Sequence, residues 1–470
     1  MANMPIILFV DTVAYEATKT PRVGNPHDRD KWTTYDSLLR LGPLSALGLR
    51  FPPARRYSLV LLQLATLARD AGCDPKYLNA SLTDLVGFAD VPYEPSAVIF
   101  SDTTPSIPRV LDLCSKAKRR WPGAWTVVGG HHSTAKPASV LGAPQVDVVV
   151  SGEGEVAFRG ILCAILSNTK VENIAVNGCL TQATRALASR PRLTDELDSL
   201  DAAPSPAYDL LPGGLASFSA YLMTSRGCPF GCPYCVMGLR PRTPRVLTPE
   251  RTWAELLTIS ELTRKTYDVV HIADDNITVG NDRLSLMLRQ KPLGYTPALS
   301  AELRLEYFSR KSLEDLRDLG LVQLNVGIES LDASVQQGIG KRWPLQEIVK
   351  RLALAKSIFG GALFIKAYFM MGLPGETRDS AERTTRGILE LLREGVLDFA
   401  SVQMFKPLPG TAMFERPGDF GVSLSFGSWG DFDRLSSPAV HGLVGMSADE
   451  IYGAYCATEK RLRSYREPSP

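Results

Sequence analysis

The sequence predicts an α/β chain: a doubly wound parallel sheet, then a partial (β/α)6 barrel, then a short, mostly helical C-terminal segment. Three observations predict it. Short apolar runs alternate with helix-patterned stretches through both halves of the chain. These runs are apolar on both faces, as strands of a parallel sheet covered by helices must be. The second half strings six such strand–helix units together, two short of a closed eight-unit barrel.

The elements follow in order. Ile6 to Val10 is a β-rich run, and Ser58 to Ala71 is a helix patterned by Leu59, Leu62, Leu64 and Leu67 and stopped by Gly72. Ala97 to Phe100 is the next strand, followed by a helix from Ile107 to Arg120. Trp125 to Val128 and Val146 to Val150 complete the set. Ligands of doubly wound sheets lie at the carboxyl ends of the strands. Three of those ends are small or polar: Ser101-Asp102-Thr103-Thr104, Gly129-Gly130-His131-His132 and Ser151-Gly152-Glu153-Gly154. A stretch rich in Pro, Asp and Ser over 191–214 reads as a linker. The barrel strands are Tyr221 to Thr224, Val269 to Ala273, Ala298 to Ala301, Leu321 to Ile328, Phe364 to Met371 and Phe399 to Phe405. Thr248-Pro249-Glu250 supplies an N-cap, an N1 proline and a first-turn acid for one intervening helix. One helix, Ser447 to Ser464, is expected in the tail. The domain boundaries are therefore set at 1–190, 191–214 (linker), 215–416 and 417–470.

The chain has 470 residues, with Lys+Arg 52 against Asp+Glu 50 and a net charge of +2. So even a balance gives no whole-chain argument for nucleic acid or an acidic membrane surface. Hydrophobic residues at 44% and charged residues at 22% exclude a largely disordered chain. No apolar run is long enough to span a bilayer. Pro5 to Val10 is short, lacks a basic lead and meets Asp11, so it reads as a strand and not a signal peptide. A cytoplasmic location is expected.

Eight cysteines are too few for a secreted disulfide scaffold of this length. Three of them fall in Cys228-Pro-Phe-Gly-Cys232-Pro-Tyr-Cys235, on one loop after a strand. Three close thiolates without a fourth suit a cubane iron–sulfur cluster with one iron left open. A structural zinc site wants a fourth Cys or His, and none is evident nearby. Cys73, Cys114, Cys163, Cys179 and Cys456 mostly lie in helical or strand patterns and read as core thiols.

The C-x3-C-x2-C spacing, with an aromatic before the last Cys, resembles the radical SAM superfamily. The resemblance implies a [4Fe–4S] cluster on Cys228, Cys232 and Cys235, with S-adenosylmethionine (SAM) on the open iron. It also implies SAM contacts at Tyr234, at Asp274 and Asp275 after the second strand, and at Glu302 and Arg304 after the third. Glu329 and Ser330 after the fourth strand and Gly372 after the fifth complete that set, and Pro407 to Thr411 makes a turn found in one large branch of the superfamily.

A Rossmann-like layer ahead of such a barrel resembles the cobalamin-binding domain of the class B, B12-dependent branch. The resemblance implies corrin contacts at Ser101, Thr103, Thr104, Gly129, Gly130, His131, His132, Gly152, Glu153 and Gly154. No Asp-x-His-x-x-Gly motif offers a lower axial ligand; His131 or His132 could reach the cobalt, and each could equally cap or line the loop. Gly129-Gly130 lacks the third glycine of a nicotinamide-binding fingerprint. Arg240-Pro-Arg242-Thr-Pro-Arg245 is a basic stretch beside the cysteines, suited to a solvated loop or an anionic group.

The implied activity moves a methyl group from SAM, via methylcobalamin, to an unactivated carbon of a small natural-product intermediate or peptide. An external one-electron reductant of flavodoxin or ferredoxin type is implied; nucleic acid and membrane are not. The alternatives are a B12-dependent radical rearrangement, cyclisation or ring contraction, methylthiolation of RNA, and a non-catalytic corrinoid- or cluster-binding protein. The substrate is expected at the barrel mouth, partly under the segment after Pro417.

Overall fold

The computed structural model describes residues 4–12, 48–53, 55–80, 88–189, 193–239, 243–280, 282–294, 296–432 and 438–466. The described residues divide into two compact units, those of 4–12 with 55–218, and those of 48–53 with 219–466.

The first unit holds a six-stranded sheet of β1 (Ile6–Asp11), β2 (Asp74–Asn79), β3 (Ala97–Asp102), β4 (Trp125–Gly130), β5 (Val148–Val150) and β6 (Cys179–Thr181), in the order β2-β1-β3-β4-β5-β6. All pairs are parallel except β5 with β6. The doubly wound expectation holds. The sequence reading missed β2, which contains Asp74, Pro75, Lys76 and Asn79, and it missed the three-residue β6. Pro75 is tolerated because β2 is an edge strand. Helix Leu59–Asp70 starts at an N-cap Ser58 whose hydroxyl accepts from Leu61 N, and Asp11 at the end of β1 accepts from Ser58 N at 2.6 Å. Within the stretch 191–214 read as a linker, Ser205, Ala207 and Asp209 are held on that helix. Ala207 N donates to Leu62 O at 3.1 Å, Thr66 Oγ1 to Ser205 O at 2.6 Å, and Arg69 pairs with Asp209 at 2.6 Å.

In the second unit, β7 (Tyr221–Leu222) is followed by β8 (Ser225–Arg226), which pairs antiparallel with β9 (Arg245–Val246). Then come β10 (Val269–Ile272), β11 (Ala298–Leu303), β12 (Leu321–Glu329), β13 (Phe364–Met371) and β14 (Phe399–Met404). The order β14-β13-β12-β11-β10-β7 is wholly parallel, with a helix after each strand from β7 to β13. All six strands expected of the partial barrel are present. Residues 48–53 belong here and not to the N-terminal layer. Phe51 packs with Val269, Phe364 and Phe399, and Arg50 pairs with Asp268 at 2.8 Å. No periodic signal marks so short a segment. The tail contains a small antiparallel pair, β15 (Val422–Leu424) with β16 (His441–Leu443), before helix Ala448–Arg466. Among the described residues no helix is long and apolar enough to cross a membrane.

Candidate functional site

The cysteine loop is held at its base. The β8–β9 ladder closes it, and Gly227 at φ +96° turns the chain into it. Asp274, just past β10, anchors the same base. Its carboxylate accepts from Thr224 N at 2.6 Å, Ser225 N at 2.9 Å, Thr224 Oγ1 at 2.7 Å and Arg283 Nη1 at 3.0 Å. Arg283 also donates to Thr224 Oγ1 and to Ile277 O. Asp274 is therefore saturated by protein groups, and its expected role as a SAM contact is replaced by that of a clamp on the loop. Arg283 was missed because nothing near it in sequence marks a buried cation.

Cys228, Cys232 and Cys235 are half-buried on the one loop, and each of the three thiols lies in the electrostatic field of the others. Cys235 N donates to Cys232 O at 3.1 Å, and a 3-10 turn, Val236–Leu239, follows. Burial pushes the Cys235 thiol up to about 11 and raises that of Cys228; Asp275 reinforces both. Asp275, expected as a SAM contact, thus lies within electrostatic reach of the cysteines. Among the described residues no three His, Cys, Asp or Glu side chains enclose a single metal ion. The cysteine trio is thus not a preformed one-ion cage. A cation does face it: Arg304, just past β11, donates from Nη1 to Cys232 Sγ at 3.2 Å. Three thiols on one short loop, within electrostatic reach of one another and with a guanidinium beside Cys232, suit an anionic, thiolate-held cluster.

Tyr234 is half-buried and packs against Val335, Ile339, Leu373, Phe405 and Met413. Its hydroxyl donates to Glu329 Oε1 at 3.4 Å, and burial, then Glu329, drives its pKa far up. Glu329 closes β12 at φ +71°, beyond a register shift against β13. Its Oε1 also accepts from Lys341 Nζ at 2.9 Å. A Cβ on Gly327 would lie 2.5 Å from that oxygen and would push the carboxylate out of this position. Ser330 is fully buried; its hydroxyl meets Thr384 Oγ1 at 3.1 Å and accepts from Asp332 N. It shapes the strand end and does not face a ligand, contrary to the sequence expectation. Glu302 accepts from Tyr368 Oη at 3.4 Å.

Gly372 sits at φ +90°, where a Cβ would meet Ile451 Cγ2 at 2.6 Å. Its N–H donates to Glu376 Oε2, and its carbonyl meets His441 Nε2 at 2.8 Å. Burial lifts Glu376 to about 8 and lowers His441 to about 4. His441 carries no sequence signal, since it reaches the fifth strand end from the tail.

In the first unit the ends of β3, β4 and β5 lie side by side, as expected of a ligand edge. Asp102 at that edge accepts from His132 N at 3.0 Å, Ser133 N at 3.1 Å and Ser133 Oγ at 2.5 Å, capping a short helix His131–Ala135. Burial raises Asp102 to about 6. His132 is not in a loop and does not face out. It is buried, with Nδ1 on Thr104 Oγ1 at 3.1 Å and Nε2 on Ser139 Oγ at 3.0 Å. With both ring nitrogens engaged it offers no lone pair to a cobalt ion, so of the two roles open to it His132 takes the structural one. Gly130 (φ +141°) and Gly152 (φ +114°) are also needed against protein. A Cβ would come within 2.3 Å of Asp102 O and 2.5 Å of Thr194 Oγ1 respectively. Both glycines, expected as corrin contacts, are thus required by the close approach of protein atoms. Gly129 packs on Val150, and Thr104 is buried on His132, whereas Ser101, His131, Glu153 and Gly154 are half-buried and Thr103 is exposed at the edge. Short and polar groups at the ends of β3, β4 and β5 fit a broad, flat ligand.

Of the other cysteines, Cys73, Cys114 and Cys179 are buried as expected, Cys456 is half-buried and Cys163 is exposed. Arg240 to Arg242 lie outside the described residues.

Fold and site together agree with the radical SAM resemblance, with a second, Rossmann-like sheet preceding the barrel in sequence. Residues 222–387 match the Radical SAM superfamily and residues 56–162 the B12 binding domain. The chain thus resembles the cobalamin-dependent radical SAM enzymes in both domains, and its cofactors are a [4Fe–4S] cluster, SAM and cobalamin. It is 28% identical over 373 residues to an uncharacterised methyltransferase of Pyrococcus horikoshii, covering 76% of this chain and 77% of that protein. It is 24% identical to an anaerobic magnesium-protoporphyrin IX monomethyl ester cyclase of Rubrivivax gelatinosus (69% and 59% covered). It is 26% identical to a hopanoid C-3 methylase of Methylococcus capsulatus (65% and 61% covered). The chain thus spans about three fifths of the length of the last two. Its fold is shared with the methyltransferase TsrM of Kitasatospora setae, solved with cobalamin and a [4Fe–4S] cluster, at TM-score 0.62 and 14% identity, covering 90% and 81%.

Proposed function

We propose that this chain is a cobalamin-dependent radical SAM methyltransferase that methylates an unactivated carbon of a small natural-product intermediate or peptide. The observation that carries the reading is the occurrence, on one chain, of the B12-binding match at 56–162 and the radical SAM match at 222–387. The printed names of two relatives, a methyltransferase and a C-3 methylase, support methyl transfer. When bound, the cluster and cobalamin would supply one-electron cleavage of SAM and carriage of its methyl group.

The chain's own part is positioning. Cys228, Cys232 and Cys235 would hold the cluster on a loop clamped by Asp274 and Arg283. Asp275, Glu302, Glu329 and the Gly372 turn would surround SAM, with Tyr234 holding Glu329. Ser101, Thr103, Gly129, His131, Glu153 and Gly154 would meet cobalamin. A carboxylate facing an ammonium group is a charge-assisted contact, which suits the amino end of SAM.

A second reading, radical cyclisation without methyl transfer, is favoured by the cyclase relative. Reconstituted protein with methyl-deuterated SAM and reductant separates the two. Methyl transfer predicts S-adenosylhomocysteine beside 5′-deoxyadenosine, in amounts that depend on added cobalamin. 5′-Deoxyadenosine alone, whatever the cobalamin content, favours the second reading and rejects the first.

A further inference from the structure

Arg304 is built into the cysteine loop from three sides. Nη1 donates to Cys232 Sγ at 3.2 Å. Nε and Nη2 donate to the two oxygens of Glu306 at 3.2 and 2.7 Å. The guanidinium plane covers Phe230, 3.8 Å from the ring centroid, and the edge of Tyr307 meets the same ring at 6.1 Å. Phe230 lies between Cys228 and Cys232, whereas Glu306 and Tyr307 belong to the 3-10 turn that follows Arg304. The strand end, the turn and the Cys228–Cys232 stretch are thus one packed unit.

A guanidinium is planar with donors in a fixed fork. Here the fork is committed to Glu306 and the face to Phe230, so the remaining direction of Nη1 is set from behind, by groups that are not cluster ligands. A residue meant to clamp the SAM carboxylate would keep its fork open.

We propose that Arg304 is a positioning residue for the iron–sulfur cluster and not a SAM contact: its directed hydrogen bond to Cys232 makes the cluster easier to reduce. The proposal rests on the reading that Cys228, Cys232 and Cys235 hold the cluster. A hydrogen bond to a ligating sulfur draws off electron density, and a fixed cation offsets the negative charge gained on reduction; both favour the reduced form. The step is the gain of one electron from a low-potential electron-transfer protein, or from dithionite in the assay. No bond forms or breaks.

The test is the midpoint potential of the cluster, read by EPR-monitored titration, with iron content, in full-length wild type, Arg304→Met, Arg304→Lys and Glu306→Gln. Arg304→Met is expected to keep its iron and to lower the reduction equilibrium constant tenfold, about 59 mV for one electron. Arg304→Lys retains the charge without the fork and is expected between Met and wild type. Glu306→Gln loosens the fork and shifts the potential in the same direction. A wild-type potential in Arg304→Met overturns the proposal. So does a wild-type potential in Arg304→Lys, because charge without direction would then suffice. If Arg304→Met takes up no iron, wild-type potentials in both other variants overturn it. Full iron in Cys232→Ala instead rejects the ligand reading, and the iron count tells the two failures apart.

Discussion

Arg283 Nη1 meets Asp274 Oδ2 at 3.0 Å in a pocket that leaves 4% of the arginine side chain and none of the aspartate exposed. This buried pair ties the segment entering the cysteine loop, at Thr224 and Ser225, to the end of β10. Two buried charges stabilise each other only as a pair, and removing one leaves the other uncompensated. Asp274→Ala is expected to cost about 3–5 kcal/mol in denaturant unfolding and to reduce iron uptake with it. Asp274→Asn with wild-type stability but no SAM binding would return this residue to the cofactor.

Glu376 predicts a pH dependence of stability. Its folded pKa is raised to about 8 from an ordinary 4.5 by burial. Below pH 4.5 the carboxyl is neutral in both states, so its burial is least costly there. Between 4.5 and 8 the unfolded chain releases the proton and the folded chain keeps it. Stability from this group therefore falls as pH rises, at up to about 1.4 kcal/mol per pH unit. Glu376→Gln is expected to flatten the stability curve of the second unit between pH 5 and 8. A curve with unchanged slope contradicts the assignment.

The legible part of this protein was its strand–helix rhythm and its cysteine spacing. All six barrel strands carry apolar runs that a local pattern detects. What a local pattern does not show is how a strand-end side chain is engaged. Asp274 and Ser330 read as ligand contacts because acids and hydroxyls at strand ends often are. The structure spends them on Arg283, Thr224 and Thr384, residues 9 to 54 positions away. Gly130 and Gly152 likewise read as ligand-side glycines, but their missing Cβ atoms spare Asp102 and Thr194. β2 was invisible because its strictly alternating buried positions are Pro75, Tyr77 and Asn79, which give no apolar alternation, and an edge strand tolerates the proline. His441 and residues 48–53 reach their positions by tertiary contact alone.

His132 is expected to act on the fold and not on the metal of the corrin. His132→Asn should lower the stability of the first unit, because burial costs are then left uncompensated at Thr104 and Ser139. The EPR spectrum of the bound cobalt(II) form should stay as in wild type. Loss of a nitrogen-ligand signal in the variant would contradict the burial argument.

Gly130→Ala is expected to be among the most damaging small substitutions in the first unit. A Cβ there lies 2.3 Å from Asp102 O and 2.5 Å from Asp102 Oδ1, at a φ of +141°. The cap on helix His131–Ala135 would have to move. The expected cost is at least about 2 kcal/mol, read by thermal unfolding, with weaker retention of cobalamin on desalting. A variant with wild-type stability would contradict the close approach.

The central claim is that the loop from Cys228 to Cys235 builds the cluster at which SAM is cleaved. Its most direct test is 5′-deoxyadenosine formation, measured with iron content, in anaerobically reconstituted wild type and Cys232→Ala. The account predicts iron and 5′-deoxyadenosine in the wild type and the loss of both in the variant. Full iron and undiminished SAM cleavage in Cys232→Ala would contradict it.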